Sequence, residues 1–151
     1  MKYYADGYCL IRNPSNLGGG YTVVDQNNKL VFNKTIYKKG ITNNECELRA
    51  CLEALRICGK RDTIVVDSQV TLKWITNIFK KKIKKVRIDL DDLKKEAHML
   101  MRKKNIYLIW KPREYNLAGI WNENRRYDNR EYKSIEEIED ELEPIDLSWI
   151  R

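Results

Sequence analysis

The chain of 151 residues is 42% hydrophobic and 34% charged, which suits one compact, soluble domain with a real core. No stretch approaches the roughly 20 apolar residues of a membrane span, and the N-terminus lacks a signal-peptide hydrophobic segment, so we expect a cytoplasmic protein without a membrane partner. The net charge of +7 is uneven: residues 1–121 hold 24 basic and 12 acidic side chains, whereas residues 122–151 hold 5 and 10. A basic body favours a polyanionic partner such as nucleic acid, although lysine is also a common solvated residue.

The first third of the chain predicts three strands joined by short turns. Residues 2–12, 21–25 and 29–37 are rich in aromatic and branched side chains. An Asn-Pro pair and three glycines mark a turn over residues 13–20, and a polar turn follows at 26–28. Consecutive strands with such connections indicate an antiparallel meander.

From residue 42 the hydrophobic period becomes helical. The run Thr42-Asn43-Asn44 supplies a helix N-cap signal, and apolar side chains recur at helical spacing up to Cys58 and Gly59. The apolar run 62–67 predicts a buried parallel strand, followed by helices over 69–79 and 89–103, a strand over 106–110 and a short helix from 117 to about 124. This order predicts an α/β fold with a mixed five-stranded sheet, three antiparallel strands and then parallel βα units, with helices on both faces.

We place the domain boundary at residue 124. Residues 125–151 form an acidic extension in which Ser134 and Glu137 fit a capping box and Pro144 ends a short amphipathic helix. This helix is expected to dock on the body. An alternative is that the acidic extension competes with nucleic acid for the basic surface.

Metal-binding chemistry is favoured over thiol chemistry. The four cysteines form no C-x-x-C pair and the chain has one histidine, His98, so a zinc site is disfavoured and buried reduced thiols are expected. Three acids stand out instead. Asp6 lies in mid-strand, where Asp is depleted; Asp67 ends a buried strand; Glu47 borders the apolar stripe of the first helix. An N-cap role for Asp67 and a helix-dipole role for Glu47 are the structural alternatives.

Four motifs in order resemble the ribonuclease H family over about residues 2–122. They are DGYC from Asp6, followed by Asn13-Pro14 and a glycine-rich turn; TNNECEL over residues 42–48; VDSQ over 66–69; and PREYNLA over 112–118. The resemblance implies a ribonuclease H-like fold and an endonuclease that hydrolyses the RNA strand of RNA–DNA hybrids with two Mg²⁺ ions, for which Mn²⁺ is a substitute. It implies Asp6, Glu47 and Asp67 as catalytic metal ligands. It also implies that Cys9, Asn13, Asn43 and Gln69 contact the hybrid in its minor groove.

The chain departs from the family pattern at its fourth acid. Gly119 stands where the closing motif has an aspartate, and Glu123, one helical turn later, is a candidate replacement that is otherwise an ordinary surface acid. Water in the gap is an alternative, and Asn116 and Asn122 are secondary candidates. The family's loop histidine is absent too, and we interpret His98 as structural. Lys81, Lys82, Lys84 and Lys85 are predicted to contact DNA phosphates, with a solvated loop as the alternative. We expect a monomer, and keep as alternatives a non-catalytic hybrid-binding module and another nuclease of the same fold.

Overall fold

A computed structural model describes residues 1–76 and 88–127 of the chain. The strands are β1 (Lys2–Cys9), β2 (Gly19–Asp25), β3 (Leu30–Ile36), β4 (Thr63–Val66) and β5 (Tyr107–Trp110). The helices are α1 (Asn43–Ile57), α2 (Gln69–Thr76), α3 (Ile88–Lys103) and α4 (Leu117–Tyr127), with a single 3-10 turn over Arg113–Tyr115. This order agrees with the order predicted from hydrophobic periodicity.

The five strands form one mixed sheet in the order β3-β2-β1-β4-β5. β1 pairs with β2 and β2 with β3 in antiparallel fashion, whereas β4 is parallel to both β1 and β5. The predicted fold class is therefore confirmed. β1 lies at the centre, between the antiparallel and parallel halves, because a helical crossover through α1 returns the chain to its other side.

Helices cover both faces of the sheet, as strand alternation in β2 makes clear. Thr22 donates a hydrogen bond from its hydroxyl to Asn122 on α4, while the next residue, Val23, lies in the hydrophobic core with the apolar side chains of α1. Because successive strand residues point to opposite faces, α1 and α4 pack on opposite sides. Asp6 pairs with Thr22 across the β1–β2 ladder and shares its face.

Helix α1 is held at both ends by hydrogen bonds that its sequence partly predicts. The Thr42 hydroxyl accepts from the Glu45 backbone N–H at 3.2 Å, which confirms the predicted N-cap. At the other end, Lys104 Nζ donates to three terminal carbonyl oxygens, those of Leu55, Arg56 and Cys58, at 2.7, 3.0 and 2.8 Å. These bonds satisfy backbone groups that a helix leaves unpaired at its ends, so both ends of α1, which carries Glu47, are fixed.

Two strand boundaries differ from the prediction by more than one residue. β1 ends at Cys9 rather than at residue 12, because Ile11 adopts a φ of 72° and the Arg12 N–H bonds to the Leu10 carbonyl oxygen, which turns the chain away from the strand direction. β2 begins at Gly19, two residues inside the predicted turn. There a Cβ atom would lie 2.4 Å from Cys46 Sγ, so the strand start requires a glycine to pass under α1.

The cysteines and the histidine, for which structural roles are predicted, are buried. All four cysteines are free and buried, and His98 is buried with its Nδ1 2.5 Å from the Ile75 carbonyl oxygen. Residues 81, 82, 84 and 85 and the extension over 128–151 lie outside the described residues, and so does the end of the helix predicted over 69–79. No helix within 1–76 or 88–127 is long and apolar enough to cross a membrane.

Candidate active site

Three carboxylates meet at the centre of the sheet. Asp6 lies on β1, Glu47 on α1, and Asp67 directly after β4. One carboxylate oxygen from each residue lies within 4.8 Å of the others. Asp6 is 5% exposed and Glu47 9% exposed, so the group sits in a largely desolvated position. The structure thus brings together the three acids that the sequence motifs single out.

Parallel pairing explains how Asp6 and Asp67 come to be neighbours. β1 and β4 are adjacent and parallel, and their register pairs Tyr4 with Val65, so Asp6 and Asp67, each two residues further along, lie side by side just past the carboxyl end of β4, where ligands bind in α/β sheets. The backbone around Asp67 is fixed by β5: the Trp110 indole N–H donates to the Asp67 carbonyl oxygen at 3.0 Å. The Ser68 hydroxyl, and not Asp67, accepts from the Thr71 N–H at the start of α2. The Asp67 carboxylate is therefore not the helix cap and faces the site.

Gly7 allows the backbone of α1 to approach β1 closely enough to place Glu47 beside Asp6. A Cβ atom at residue 7 would lie 2.2 Å from the carbonyl carbon of Cys46 and 2.4 Å from the backbone nitrogen of Glu47. Any other residue next to Asp6 would push the helix away. Gly7 belongs to the DGYC motif, but the motif by itself does not predict this close approach of α1.

All three carboxyl groups have raised pKa values, chiefly because they are buried. Burial raises the pKa of Asp6 to about 6, with the charge of Asp67 adding to the rise and hydrogen bonds from Asn122 and Glu47 opposing it. Burial also raises the pKa of Glu47 well above its ordinary value, and the charges of Asp6 and Asp67 add to this. The pKa of Asp67 is raised by burial as well, against the hydrogen bond from Asn116 and the charge of Arg113.

These residues fit a divalent cation. Glu47 Oε2 is a buried carboxylate oxygen with no hydrogen-bond partner among the described residues, which is costly unless a further ligand satisfies it. A cation would also offset the carboxylate repulsion that adds to the raised pKa values of Asp6 and Glu47. The donor set is all oxygen, which Mg²⁺ prefers to nitrogen or sulfur. The site is therefore chemically suited to a hard cation.

Two asparagines from the C-terminal segment hold the aspartates. Asn116 Nδ2 donates to Asp67 Oδ2 at 3.1 Å and to the Ala5 carbonyl oxygen at 2.9 Å, while its Oδ1 accepts from the first turn of α4. Asn122 Nδ2 donates to Asp6 Oδ2 at 2.7 Å. Both are buried. Both residues are among the candidates that the sequence offers for replacing the fourth acid, and the structure places them on the two aspartates.

Gly119 and Glu123 occupy different surroundings. A Cβ atom at Gly119 would lie 3.6 Å from Asp67 Oδ2 and 3.7 Å from Asp6 Cγ, so this position faces the carboxylates. Glu123 is half exposed, with Oε1 3.5 Å from Arg113 Nη2, and its carboxylate is not one of the three clustered groups. The catalytic role of Glu123 stays a prediction.

The predicted substrate contacts divide into three sets. Cys9, Asn13 and Asn43 line the same groove as the three acids, together with Arg113, which the sequence motif contained but to which no role was assigned. Asn13 Oδ1 accepts from the Asn43 backbone N–H at 3.0 Å, which ties the turn after β1 to the start of α1. Gln69 is exposed on α2 and does not line this groove. The four lysines fall in the part of the chain that is not described.

Comparison with known proteins adds independent support. The family model for RNase H matches residues 1–133. The fold is similar to the N-terminal RNase H domain of Rv2228c from Mycobacterium tuberculosis, solved as a fusion with maltose binding protein, at 20% identity and a TM-score of 0.57, covering 84% of this chain and 96% of that chain. It is also similar to RNase H1 from the halophilic archaeon Halobacterium salinarum NRC-1, at 20% identity and a TM-score of 0.55, with 82% and 97% covered.

A third similar structure is LC11-RNase H1 in complex with an RNA/DNA hybrid, at 20% identity and a TM-score of 0.53, with 76% of this chain and 87% of that chain covered. No curated protein matches the chain significantly. At 20% identity the solved structures show a shared fold, whereas the family match spans most of the chain. The chain therefore belongs to the RNase H family and is a ribonuclease H-type hydrolase.

Proposed function

We propose that this protein cleaves the RNA strand of RNA–DNA hybrids in a reaction that depends on two divalent cations, Mg²⁺ or Mn²⁺. The observation that carries the proposal is the cluster of Asp6, Glu47 and Asp67, whose ligand oxygens lie within 4.8 Å of one another. The family match supports the hydrolase chemistry. The hybrid bound to LC11-RNase H1 supports the substrate class, since that protein shares the fold.

The three carboxylates would hold the ions, and Glu47 Oε2 is the oxygen that most needs one. When bound, the ions supply Lewis-acid stabilisation of the phosphodiester charge and lower the pKa of a coordinated water. Asn116 and Asn122 orient Asp67 and Asp6 by donating to one oxygen of each. One oxygen of each aspartate is then left free of these two asparagine contacts.

Residues around the carboxylates provide for substrate contact. Arg113 is 62% exposed at its side chain and lines the groove, so its guanidinium can contact a backbone phosphate. Asn13 and Asn43 present amides at the same groove, where a 2′-hydroxyl can both donate and accept. We include Cys9, which lines the groove, as a further substrate contact. Gln69 is included on the resemblance alone, and Lys81, Lys82, Lys84 and Lys85 on the resemblance and their positive charge. A cytoplasmic monomer is likewise part of this proposal.

A hybrid-binding module without efficient turnover is the second candidate. It is favoured by one observation, the glycine at position 119, which leaves three acids where the family motif has four. Fewer carboxylates weaken attraction for the ions. Cleavage assays separate the two candidates.

The test is cleavage of an end-labelled RNA–DNA hybrid in Mg²⁺ or Mn²⁺, with hybrid affinity measured in parallel by fluorescence anisotropy. Asp67→Asn is expected to lose more than the roughly 10- to 100-fold in rate that outer-shell partners cost, with folding intact. Asp92→Asn, an exposed acid on α3, removes the same charge outside the groove and should leave the rate unchanged. Hybrid binding without cleavage by the wild type in either metal would favour the binding module.

A further inference from the structure

Asn122 makes a directed contact to the central acid of the site from the face opposite α1. Its Nδ2 lies 2.7 Å from Asp6 Oδ2, and the residue is 6% exposed. A carboxylate oxygen only accepts hydrogen bonds, so the amide nitrogen must face Asp6. A short bond to a charged acceptor is among the stronger kinds in proteins. Asn122 therefore engages one of the two Asp6 oxygens.

The orientation of the Asn122 amide is fixed by a second contact. Its Oδ1 accepts from the Thr22 hydroxyl at 2.8 Å, and Thr22 is fully buried on β2. That hydroxyl also lies 3.2 Å from Asn33 Oδ1, but it has a single proton and the shorter contact is to Asn122. Flipping the amide would place its oxygen against the Asp6 carboxylate and its nitrogen against the hydroxyl. The amide is thus held with its donor toward Asp6.

A chain of contacts therefore runs from β2 through α4 to the active-site acid on β1. Asp6 and Thr22 are paired residues of neighbouring strands, and Asn122 bridges their side chains from the face of the sheet that α4 covers. With Oδ2 engaged by Asn122, rotation of the Asp6 carboxylate is restricted, and the side chain is held where one of its oxygens lies within 4.8 Å of an oxygen of Glu47 and of Asp67.

We propose that Asn122 is a positioning residue for Asp6, which it orients for divalent-cation binding with Thr22 as its support. The inference rests on the proposed function only for its activity readout, because the cation affinity of Asp6 can be measured without substrate. Outer-shell partners of metal ligands typically contribute 10- to 100-fold in metal affinity or activity. Loss of Asn122 should therefore weaken Mg²⁺ binding and lower kcat while leaving KM for the hybrid near its original value.

The experiment compares wild type, Asn122→Ala, Thr22→Val and Asn124→Ala. Asn124 is exposed on the same helix and provides a matched control. Mg²⁺ affinity is measured by calorimetry on the substrate-free protein, thermal unfolding by circular dichroism, and kcat and KM on a labelled hybrid. We expect about a tenfold or greater loss of Mg²⁺ affinity in Asn122→Ala, a smaller loss in Thr22→Val, which frees the amide to rotate, and none in Asn124→Ala.

Several outcomes would overturn the proposal. If Asn122→Ala binds Mg²⁺ as the wild type does, Asn122 does not position Asp6, whatever its effect on the melting temperature. If Asn122→Ala does not fold, Thr22→Val decides the matter by the same measurement, and unchanged Mg²⁺ affinity there refutes the proposal. If the wild type binds Mg²⁺ but cleaves no hybrid, the proposed function fails while the affinity comparison still decides the role of Asn122. No Mg²⁺ binding by the wild type would overturn both.

Discussion

Gly119 stands where the family motif has its fourth acid, and the structure leaves room there for a side chain. A Cβ atom would lie 3.6 Å from Asp67 Oδ2, 3.7 Å from Asp6 Cγ and 3.7 Å from Asn116 Cβ, which are ordinary van der Waals distances. We therefore expect Gly119→Asp to add a fourth carboxylate beside the other acids without moving the backbone of α4.

The size of the effect follows from two opposing terms. Two unit charges about 4 Å apart interact by about 4 kcal/mol at an effective dielectric constant of about 20. A new carboxylate attracts a divalent cation at least this strongly, but its repulsion of Asp6, Asp67 and Glu47 raises the pKa values of the group, so protons must be released when the ion binds and this offsets part of the attraction. We expect a net gain of about 1.4 kcal/mol, which is a tenfold increase in Mg²⁺ affinity.

The assay is calorimetric titration with Mg²⁺, followed by hybrid cleavage below saturating Mg²⁺, where the rate should rise in proportion to affinity. Gly119→Asn reproduces the shape of the aspartate without its charge. Gly119→Ala accounts for helix propensity, since alanine is favoured over glycine by up to about 1 kcal/mol in a helix. Equal gains in the Asp and Asn variants, or weaker Mg²⁺ binding by Gly119→Asp, would refute the reasoning from charge.

Two further predictions concern stability. Gly7→Ala should destabilise the fold by about 3 kcal/mol and weaken Mg²⁺ binding, because the new methyl group meets the α1 backbone at 2.2 Å. Urea unfolding measures the loss of stability. Gly59→Ala, where the nearest atom to the new methyl group is 3.5 Å away, is the control and should lose little stability. In metal-free protein, burial raises the pKa of Asp6 from 3.8 to about 6, so the folded state binds its proton more tightly than the unfolded chain does. The stability of wild type relative to Asp6→Asn should therefore be greatest below about pH 4 and fall as the pH rises through about 6, and Mg²⁺ should oppose this loss. If the relative stability measured in EDTA rises over this pH range, burial does not raise the pKa of Asp6.

Much of the fold could be predicted because its signals are local. The Thr42 cap, the helical spacing of Leu48, Cys51 and Leu55, and the apolar run before Asp67 each reflect burial and hydrogen bonding over a few residues. Such patterns give element types and order, and strand order follows from the way parallel and antiparallel connections are made. The boundary at Cys9 depends on the turn at Ile11, and the boundary at Gly19 depends on how closely the chain passes beneath α1.

The sequence by itself determined which acids form the site, since Asp6, Glu47 and Asp67 each stand inside a recognisable motif and in a position where the fold does not require an acid. What only the tertiary structure decided are the contacts between segments far apart in the chain. Asn122 meets Asp6 across 116 residues, and Asn116 meets Asp67 across 49. The close approach of α1 at Gly7 and the separation of Glu123 from the acid cluster also depend on how distant segments of the chain pack together. Periodicity reports which face of a helix is buried, but the partner that a buried side chain finds depends on how α1 and α4 dock on opposite faces of the sheet.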